Sequence, residues 1–144
     1  MNQPLYTTAI LRLAASSGDH PSLDHADASV SARTPVCGSH ITMDVTICDN
    51  VISAIGYGIH ACAFGQASAA LFAGGAVGQT AGQVADAARD LARWLSGELC
   101  DPPLWPGIDA LAPARDRVAR HAAITMPFTA GAKAAQLALD AVVP

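Results

Sequence analysis

The clearest pattern of apolar and polar residues in this chain alternates with a period of two between positions 41 and 59. Apolar side chains occupy every second position over 41–47, a polar Cys48-Asp49-Asn50 segment follows, and a second apolar run covers 51–59. This pattern predicts a β-hairpin with one buried face. The register is fixed because a shift of one residue would move the apolar set to the opposite face. The predicted pairs are Ile41 with Ile59, Met43 with Tyr57, and Val45 with Ile55.

The remaining elements are predicted from helical spacing and from capping or breaking residues. Before the hairpin, the pattern predicts a short helix over 5–15 and an edge strand over 28–34, closed by Pro35. After it, helices are predicted over 62–75, from Thr80 to a stop at Gly97, over 108–117 and over 127–142, with Pro127 in the first helical position. We therefore expect one α+β domain over 1–144, with a three-stranded antiparallel sheet followed by helices packed on one face.

Composition and charge exclude several classes of function. The net charge is −4 and basic residues form no cluster, so the chain lacks the electrostatic footprint of a nucleic-acid-binding protein. No apolar run reaches the roughly 18 residues of a membrane span. The first residues include no basic segment, and Arg12 interrupts their apolar stretch, so we expect no secretory signal. Four cysteines in a chain of 144 residues favour free or metal-bound thiols in a reducing compartment, and we expect a cytoplasmic protein.

The candidate chemistry lies where the predicted hairpin ends. Its register carries Cys37 back to within about one residue of Cys62, which places two thiols at one end of the hairpin. Cys62 also precedes a predicted helix, and a helix N-terminus favours a thiolate. Gly38 allows a sharp turn that exposes backbone amides to a sulfide or a metal. The alternative is two small buried side chains without function. Cys48 lies at the opposite end of the hairpin and Cys100 in a proline-rich connector, so neither is expected to bind metal.

Two thiolates do not close a metal site, so other donors are needed. A local option adds His40 and His60 to the two thiols, which gives a Cys2His2 set suited to zinc, although His40 can equally be a solvated strand residue. A distant option is His121, which precedes the last predicted helix and is alternatively a surface or capping residue. Gln66, one turn after Cys62, can hydrogen-bond a ligand or only its own helix.

Three segments resemble the motifs of the U-type iron–sulfur cluster assembly scaffolds, as found in the N-terminal part of nitrogen-fixation scaffold proteins. Thr-Pro-Val-Cys-Gly-Ser at 34–39 is similar to the family's N-P-V-C-G-D signature. The stretch 58–68 is similar to its second motif, a strand that runs into G-C-x-x-x-x-A-S at a helix start. Arg-His-Ala-Ala at 120–123 stands where the family has H-C or K-C. The resemblance covers roughly positions 20–142 and implies a three-stranded antiparallel sheet with helices packed against it and the site at one end.

The sequence departs from the family at two site positions. Ser39 replaces the acidic residue after C-G, and the third cysteine is replaced by Ala122 or Ala123. By correspondence the resemblance implies Cys37, Cys62 and His121 as metal ligands. Gly38, Ser39 and Gln66 are expected to surround the bound group.

Three functions follow as hypotheses. The first is a scaffold or carrier, not an enzyme, that binds iron and sulfide for transfer, with a cysteine desulfurase and cluster-recipient proteins as partners. The second is a zinc-bound sulfur acceptor for the desulfurase. The third is a metal-free interaction module.

Overall fold

The protein is described by a computed structural model in which residues 6–35 and 38–142 are placed. In these residues one short helix precedes a small sheet and most of the helical structure follows the sheet, so the predicted α+β class is confirmed. The α-helices and strands are α1 Thr8–Ala15, β1 Ala28–Arg33, β2 His40–Cys48, β3 Val51–His60, α2 Ala63–Ala76, α3 Ala81–Leu95 and α4 His121–Val142. Short 3₁₀ turns cover Ser16–Asp19, Ile108–Ala114 and Val118–Arg120.

The sheet has the order β1-β2-β3 with antiparallel neighbours, and its hairpin register is the predicted one. All three predicted cross-strand pairs are Cα partners in the structure. The turn consists of Asp49 and Asn50 with φ of 54° and 66°. Both residue types tolerate the left-handed region that a two-residue hairpin turn requires. One irregularity in the ladder lies between Thr46 and Ile47.

The apolar face of the sheet is covered by helices. The long helix α4 packs across β1 and β2, while α2 packs against β3, α1 and α4. The helix α3 packs against α4, and a capping box between Thr80 and Gln83 fixes its start. The largest fully buried side chains include Ile10, Ile41, Met43, Ile52, Phe64, Phe72, Leu91, Leu111, Ile124 and Phe128.

The contact between α2 and α4 depends on a glycine. The ring of Phe72 lies against the backbone of Gly131, where a Cβ atom would overlap it. Phe72 also meets Phe128 edge-on, with ring centroids 5.1 Å apart, and stacks on Trp105 at 5.6 Å. The indole of Trp105 donates to the carbonyl of Leu71 at 2.7 Å, which fastens the proline-rich connector to α2. The helices α2 and α4 are therefore in close contact, because the Phe72 ring packs directly against the backbone of Gly131.

The opposite face of the sheet is partly covered by the segment 20–27. The buried carboxylate of Asp44 accepts hydrogen bonds from the Leu23 amide at 3.0 Å and from the Ser29 hydroxyl at 2.6 Å. The Pro21 carbonyl and Leu23 approach Gly56 so closely that no larger residue fits there. This cover is confined to the middle of the sheet and the end near the hairpin turn.

Two predicted helices differ from the structure. The segment predicted as a helix over 108–117 forms a 3₁₀ turn, because Pro113 lacks the amide hydrogen that an α-helical ladder needs. The last helix begins at His121 and not at Pro127, which lies inside α4 and is buried. The apolar packing of α4 on the sheet and on α2 compensates for the one missing hydrogen bond. The predicted start of the first helix, Leu5, lies outside the described residues. No helix in 6–35 and 38–142 has the length and apolar character of a membrane span.

Candidate metal centre

A cavity of about 190 Å³ opens at the end of the sheet opposite the hairpin turn. Its wall is formed by the end of β3, the residues that enter α2, the 3₁₀ turn before α4 and the first turn of α4. The lining residues are Ser39, His60, Ala61, Cys62, Ala119, Arg120 and Ala123. The site is thus assembled from three separate parts of the chain.

Cys62 is the N-cap residue of α2, as the sequence predicted. Its backbone is extended, with φ of −66° and ψ of 172°, and its half-buried side chain makes no capping hydrogen bond. The first amide groups of a helix have no partner within the helix and favour a negative charge nearby. The thiol therefore stands in the cavity wall at the positive end of a helix.

Cys37 lies outside the described residues, so its predicted approach to Cys62 stays a prediction. Two hydrogen bonds between Thr34 and Ser39 fix the chain on either side of the segment 36–37. The Thr34 amide donates to the Ser39 carbonyl at 2.8 Å, and the Ser39 amide donates to the Thr34 hydroxyl at 3.1 Å. Gly38 is exposed with φ of 70°, in the left-handed region that glycine favours. Ser39 is buried and lines the cavity.

Gln66 contacts the backbone beside the thiol and does not line the cavity. Its side-chain amide donates to the carbonyl of Ala61 at 3.2 Å, next to Cys62. Its own carbonyl accepts from the Ser17 hydroxyl at 3.2 Å. Gln66 therefore supports the chain at the entrance to α2.

His121 is placed at the start of α4 but does not line the cavity. Its Nε2 atom lies 2.8 Å from the carbonyl oxygen of Ala114 and 3.1 Å from that of Arg115. Because both neighbours are acceptors, Nε2 carries the proton and donates. In this arrangement His121 fastens the end of the 3₁₀ turn Ile108–Ala114 to the start of α4. The exposed His60 is an imidazole that borders the cavity.

Arg120 is a site residue that the sequence analysis did not single out, and Ala123 is the one of its two candidate positions for the third cysteine that lines the cavity. Arg120 is half-buried, and within the described ranges its guanidinium forms no ion pair or hydrogen bond. Of the two alanines that correspond to the family's third cysteine, Ala123 is buried in the cavity wall, whereas Ala122 is exposed. The signal for Arg120 was its position beside His121, but an incorrect helix start concealed which of the two neighbours faces the cavity.

The cavity wall is rigid where α2 meets α4. A Cβ atom on Gly65 would come within 2.7 Å of the Ala61 side chain and 3.3 Å of the Ala123 carbonyl. One turn further along α2, the buried Ser68 hydroxyl donates to the Ile124 carbonyl. These contacts hold the first turns of the two helices together on either side of the site.

Other candidate ligands are dispersed. Cys48 and Cys100 are exposed and do not line the cavity. Across 6–35 and 38–142, histidine, cysteine and carboxylate side chains form no group of three or more that is arranged to hold a metal ion. A ligand set around Cys62 therefore needs Cys37 and further donors.

Comparison with solved structures places this architecture among known proteins. The N-terminal part of a nitrogen-fixing NifU-like protein from Brucella abortus superposes with a TM-score of 0.83 and 27% identity, over 94% of this chain and 95% of that one. The fold is that of the U-type scaffold family. This confirms the resemblance that the motifs indicated and the predicted sheet-and-helix arrangement.

Two further structures share the U-type fold at lower identity. A protein described as an iron–sulfur cluster assembly scaffold for the SUF system, from Fervidobacterium islandicum AW-1, has a TM-score of 0.83 and 17% identity, over 90% of this chain and 96% of that one. A hypothetical protein has a TM-score of 0.66 and 20% identity, over 88% and 96% of the two chains. No protein-family profile and no curated protein matches the sequence.

Proposed function

We propose that this chain is an iron–sulfur cluster assembly scaffold or carrier, a binding protein and not an enzyme. It holds iron and sulfide on Cys37 and Cys62 and passes them to recipient proteins, and a cysteine desulfurase supplies the sulfur. The observation that supports this most directly is the position of Cys62, at a helix N-terminus in the wall of a cavity. The U-type fold of the chain is the second observation that supports the proposal.

The charges around the cavity suit an anionic guest. Thiolates and sulfide are negative, and the N-terminus of α2 and the Arg120 guanidinium both present positive charge to the same space. Soft thiolate ligands select iron–sulfur clusters and zinc over hard cations. Arg120 is therefore expected to stabilise bound sulfide by charge-assisted hydrogen bonds. Arg120→Gln should lower sulfide retention more than it lowers zinc binding.

The ligand set is smaller than an all-thiolate one. Ala123 offers no donor, and the Nε2 atom of His121, the third ligand implied by the resemblance, is engaged by two carbonyls. A cluster bound through two thiolates keeps open positions that a small molecule or a partner's cysteine can fill. Weak retention of the cluster is suited to a carrier that transfers it to recipient proteins.

Anaerobic reconstitution with ferrous iron and sulfide tests the proposal. The parent protein should develop visible thiolate-to-iron charge-transfer absorption and retain iron and sulfide after desalting. Cys37→Ser and Cys62→Ser should each abolish both signals, whereas Cys48→Ser and Cys100→Ser serve as matched controls and should retain them. Equal loss in the Cys48 variant, or full retention in the Cys62 variant, would contradict the proposed site.

A zinc-bound sulfur acceptor is the second candidate, favoured by the absence of a third thiol at Ala123. In that case Cys62 or Cys37 attacks the persulfide of a desulfurase and takes over its terminal sulfur, leaving the enzyme's thiol. Zinc at one equivalent with no retained sulfide, together with a persulfide detected by mass spectrometry on one of the two cysteines, would favour this function. If neither metal nor persulfide is detected, the metal-free interaction module is the remaining function.

A further inference from the structure

Two histidines lie side by side at the end of the sheet that borders the cavity. His40 on β2 and His60 on β3 are Cα partners, so their side chains project from the same face of the sheet. Their rings stack with centroids 5.3 Å apart and planes inclined by 20°. Both are exposed, and within the described part of the chain neither imidazole forms a hydrogen bond or an ion pair.

The surrounding surface leaves these rings accessible. The segment 20–27 covers the face at Asp44 and Gly56, but a Cβ atom on Gly58, one row closer to the histidines, would have no heavy atom within 4 Å. In the same row the hydroxyls of Ser31 and Thr42 bond to each other at 3.0 Å and do not engage the imidazoles. The pair is therefore not required to satisfy any polar group of the fold.

We infer that His40 and His60 form a two-imidazole site for a divalent first-row transition-metal ion, separate from the thiols. Imidazole nitrogens bind zinc, iron, nickel and copper. Two imidazoles that bind one tetrahedral ion through bonds of ~2.0–2.1 Å have ring centres about 5 Å apart. The observed separation of 5.3 Å is close to this value, although the stacked rings must turn before their in-plane lone pairs converge on one ion. Because both side chains are exposed, rotation of the rings about their side-chain bonds is enough to aim one nitrogen of each at a common ion.

The position of the pair gives the site a role. His60 stacks on His40 and also lines the cavity that contains Cys62. An ion held by the pair thus lies beside a residue of the cavity wall, and we assign to the pair the first capture of the metal ion. This role rests on the proposed scaffold function, whereas metal binding by the two imidazoles does not.

Arg33 distinguishes a metal site from an anion site. It is the Cα partner of His40 on β1, so an exposed guanidinium shares the face with the two imidazoles. A nearby positive charge weakens the binding of a dication and strengthens the binding of an anion. Removing this charge should therefore tighten a metal site and loosen an anion site.

The binding test uses the full chain with Cys37→Ser and Cys62→Ser, titrated with zinc by calorimetry while the histidine ring protons are followed by NMR. One equivalent should bind and shift the signals of His40 and His60. His40→Gln or His60→Gln should each weaken binding at least about tenfold, and the double change should add little, because either one removes the chelate. His25→Gln, at another exposed histidine, is the matched control and should have no effect. Circular dichroism confirms that each variant folds.

Arg33→Gln should strengthen zinc binding about two- to fivefold, the range expected of an exposed charge pair. Unchanged zinc affinity in both single histidine variants would overturn the site. Weaker binding in Arg33→Gln, together with shifts of the two histidines on addition of phosphate, would assign the face to an anion instead.

The capture role is tested with the cysteines intact. His40→Gln, which leaves the cavity lining unchanged, should slow iron uptake at limiting ferrous iron while the final cluster content stays at the parental level. Unchanged uptake kinetics would overturn the capture role. Loss of the final cluster content in Cys62→Ser alone belongs to the scaffold function and leaves the histidine site standing.

Discussion

Cys62 and Ala123 line one cavity from two different helices, Cys62 as the N-cap of α2 and Ala123 in the first turn of α4. Ala123 is almost completely buried, whereas its neighbour Ala122 is exposed. A third thiol in the site would therefore replace Ala123.

Ala123→Cys is expected to increase the iron and sulfide retained after desalting, because a third soft ligand would share the space beside Cys62. Anaerobic reconstitution followed by iron and sulfide analysis measures the change. Ala122→Cys adds the same thiol on the exposed side and is the control that should leave retention at the parental level. A gain in Ala122→Cys without one in Ala123→Cys would show that the start of α4 is rotated.

His121→Ala is expected to cost stability and to leave the bound iron unchanged. The imidazole donates to two backbone carbonyls, of Ala114 and Arg115, and loss of such a hydrogen bond costs about 1 kcal/mol. Urea unfolding of the metal-free protein measures this cost. The opposite outcome, an unchanged unfolding free energy with a loss of iron, would show that His121 turns into the cavity and binds the metal as the resemblance implies.

Gly131→Ala is expected to destabilise the protein by about 2 kcal/mol, since its new methyl group would overlap the buried ring of Phe72 and force α2 and α4 apart. Gly74→Ala is the matched control. Gly74 is an exposed helical glycine with no neighbouring heavy atom within 4 Å of an added Cβ. Alanine at this position should stabilise the protein by about 0.5–1 kcal/mol through helix propensity. Urea midpoints that shift in the same direction for both variants would contradict the close contact between the helices.

Tyr57→Phe tests a buried hydroxyl. This hydroxyl has no hydrogen-bond partner within the described residues. Burial raises the pKa of Tyr57, while the Ser17 hydroxyl opposes the rise and the Asp19 charge adds to it. Because the pKa of Tyr57 is raised in the folded state, its contribution to the free energy of unfolding is fully present below the pKa of the unfolded state, near 10. This contribution is lost as the pH rises through the pKa of the folded state.

Tyr57→Phe should accordingly be about 1 kcal/mol more stable than the parent at pH 7, because a buried unpaired hydroxyl is removed. It should also lose less stability than the parent above pH 10. Urea midpoints across the alkaline range measure both effects, with Tyr6→Phe as the control that keeps the alkaline loss. A parental alkaline slope in Tyr57→Phe would assign the loss to other groups.

The sheet and the site differ in how far the sequence predicts them. The hairpin register was predictable because a period of two leaves one way to bury Met43 and Tyr57 together, and the structure confirms it. The start of α2 at Cys62 was predictable because the pattern changes there from a period of two to helical spacing. Both signals are local and depend on which face is apolar.

The start of α4 was not predictable from local signals. Pro127 is common at a first helical position, but long-range packing of α4 on the sheet and α2 outweighs the hydrogen bond that proline removes. With the helix start misplaced by nearly two turns, the orientation of the residues before it was also misplaced. His121 was predicted at the site from its correspondence to the family's third motif, and that correspondence does not show which of Arg120 and His121 faces the cavity.

The contact of Gly65 with the first turn of α4, reinforced by the bond from Ser68 to Ile124, separates the shape of the site from its chemistry. Backbone atoms and small side chains maintain the distance between the cavity walls. The side chain at Ala123 can therefore change without altering the shape of the cavity. The number of metal ligands can then change in evolution, or be changed by design, while the backbone around the cavity stays the same. In this chain the methyl group of Ala123 occupies the position that a thiol could take.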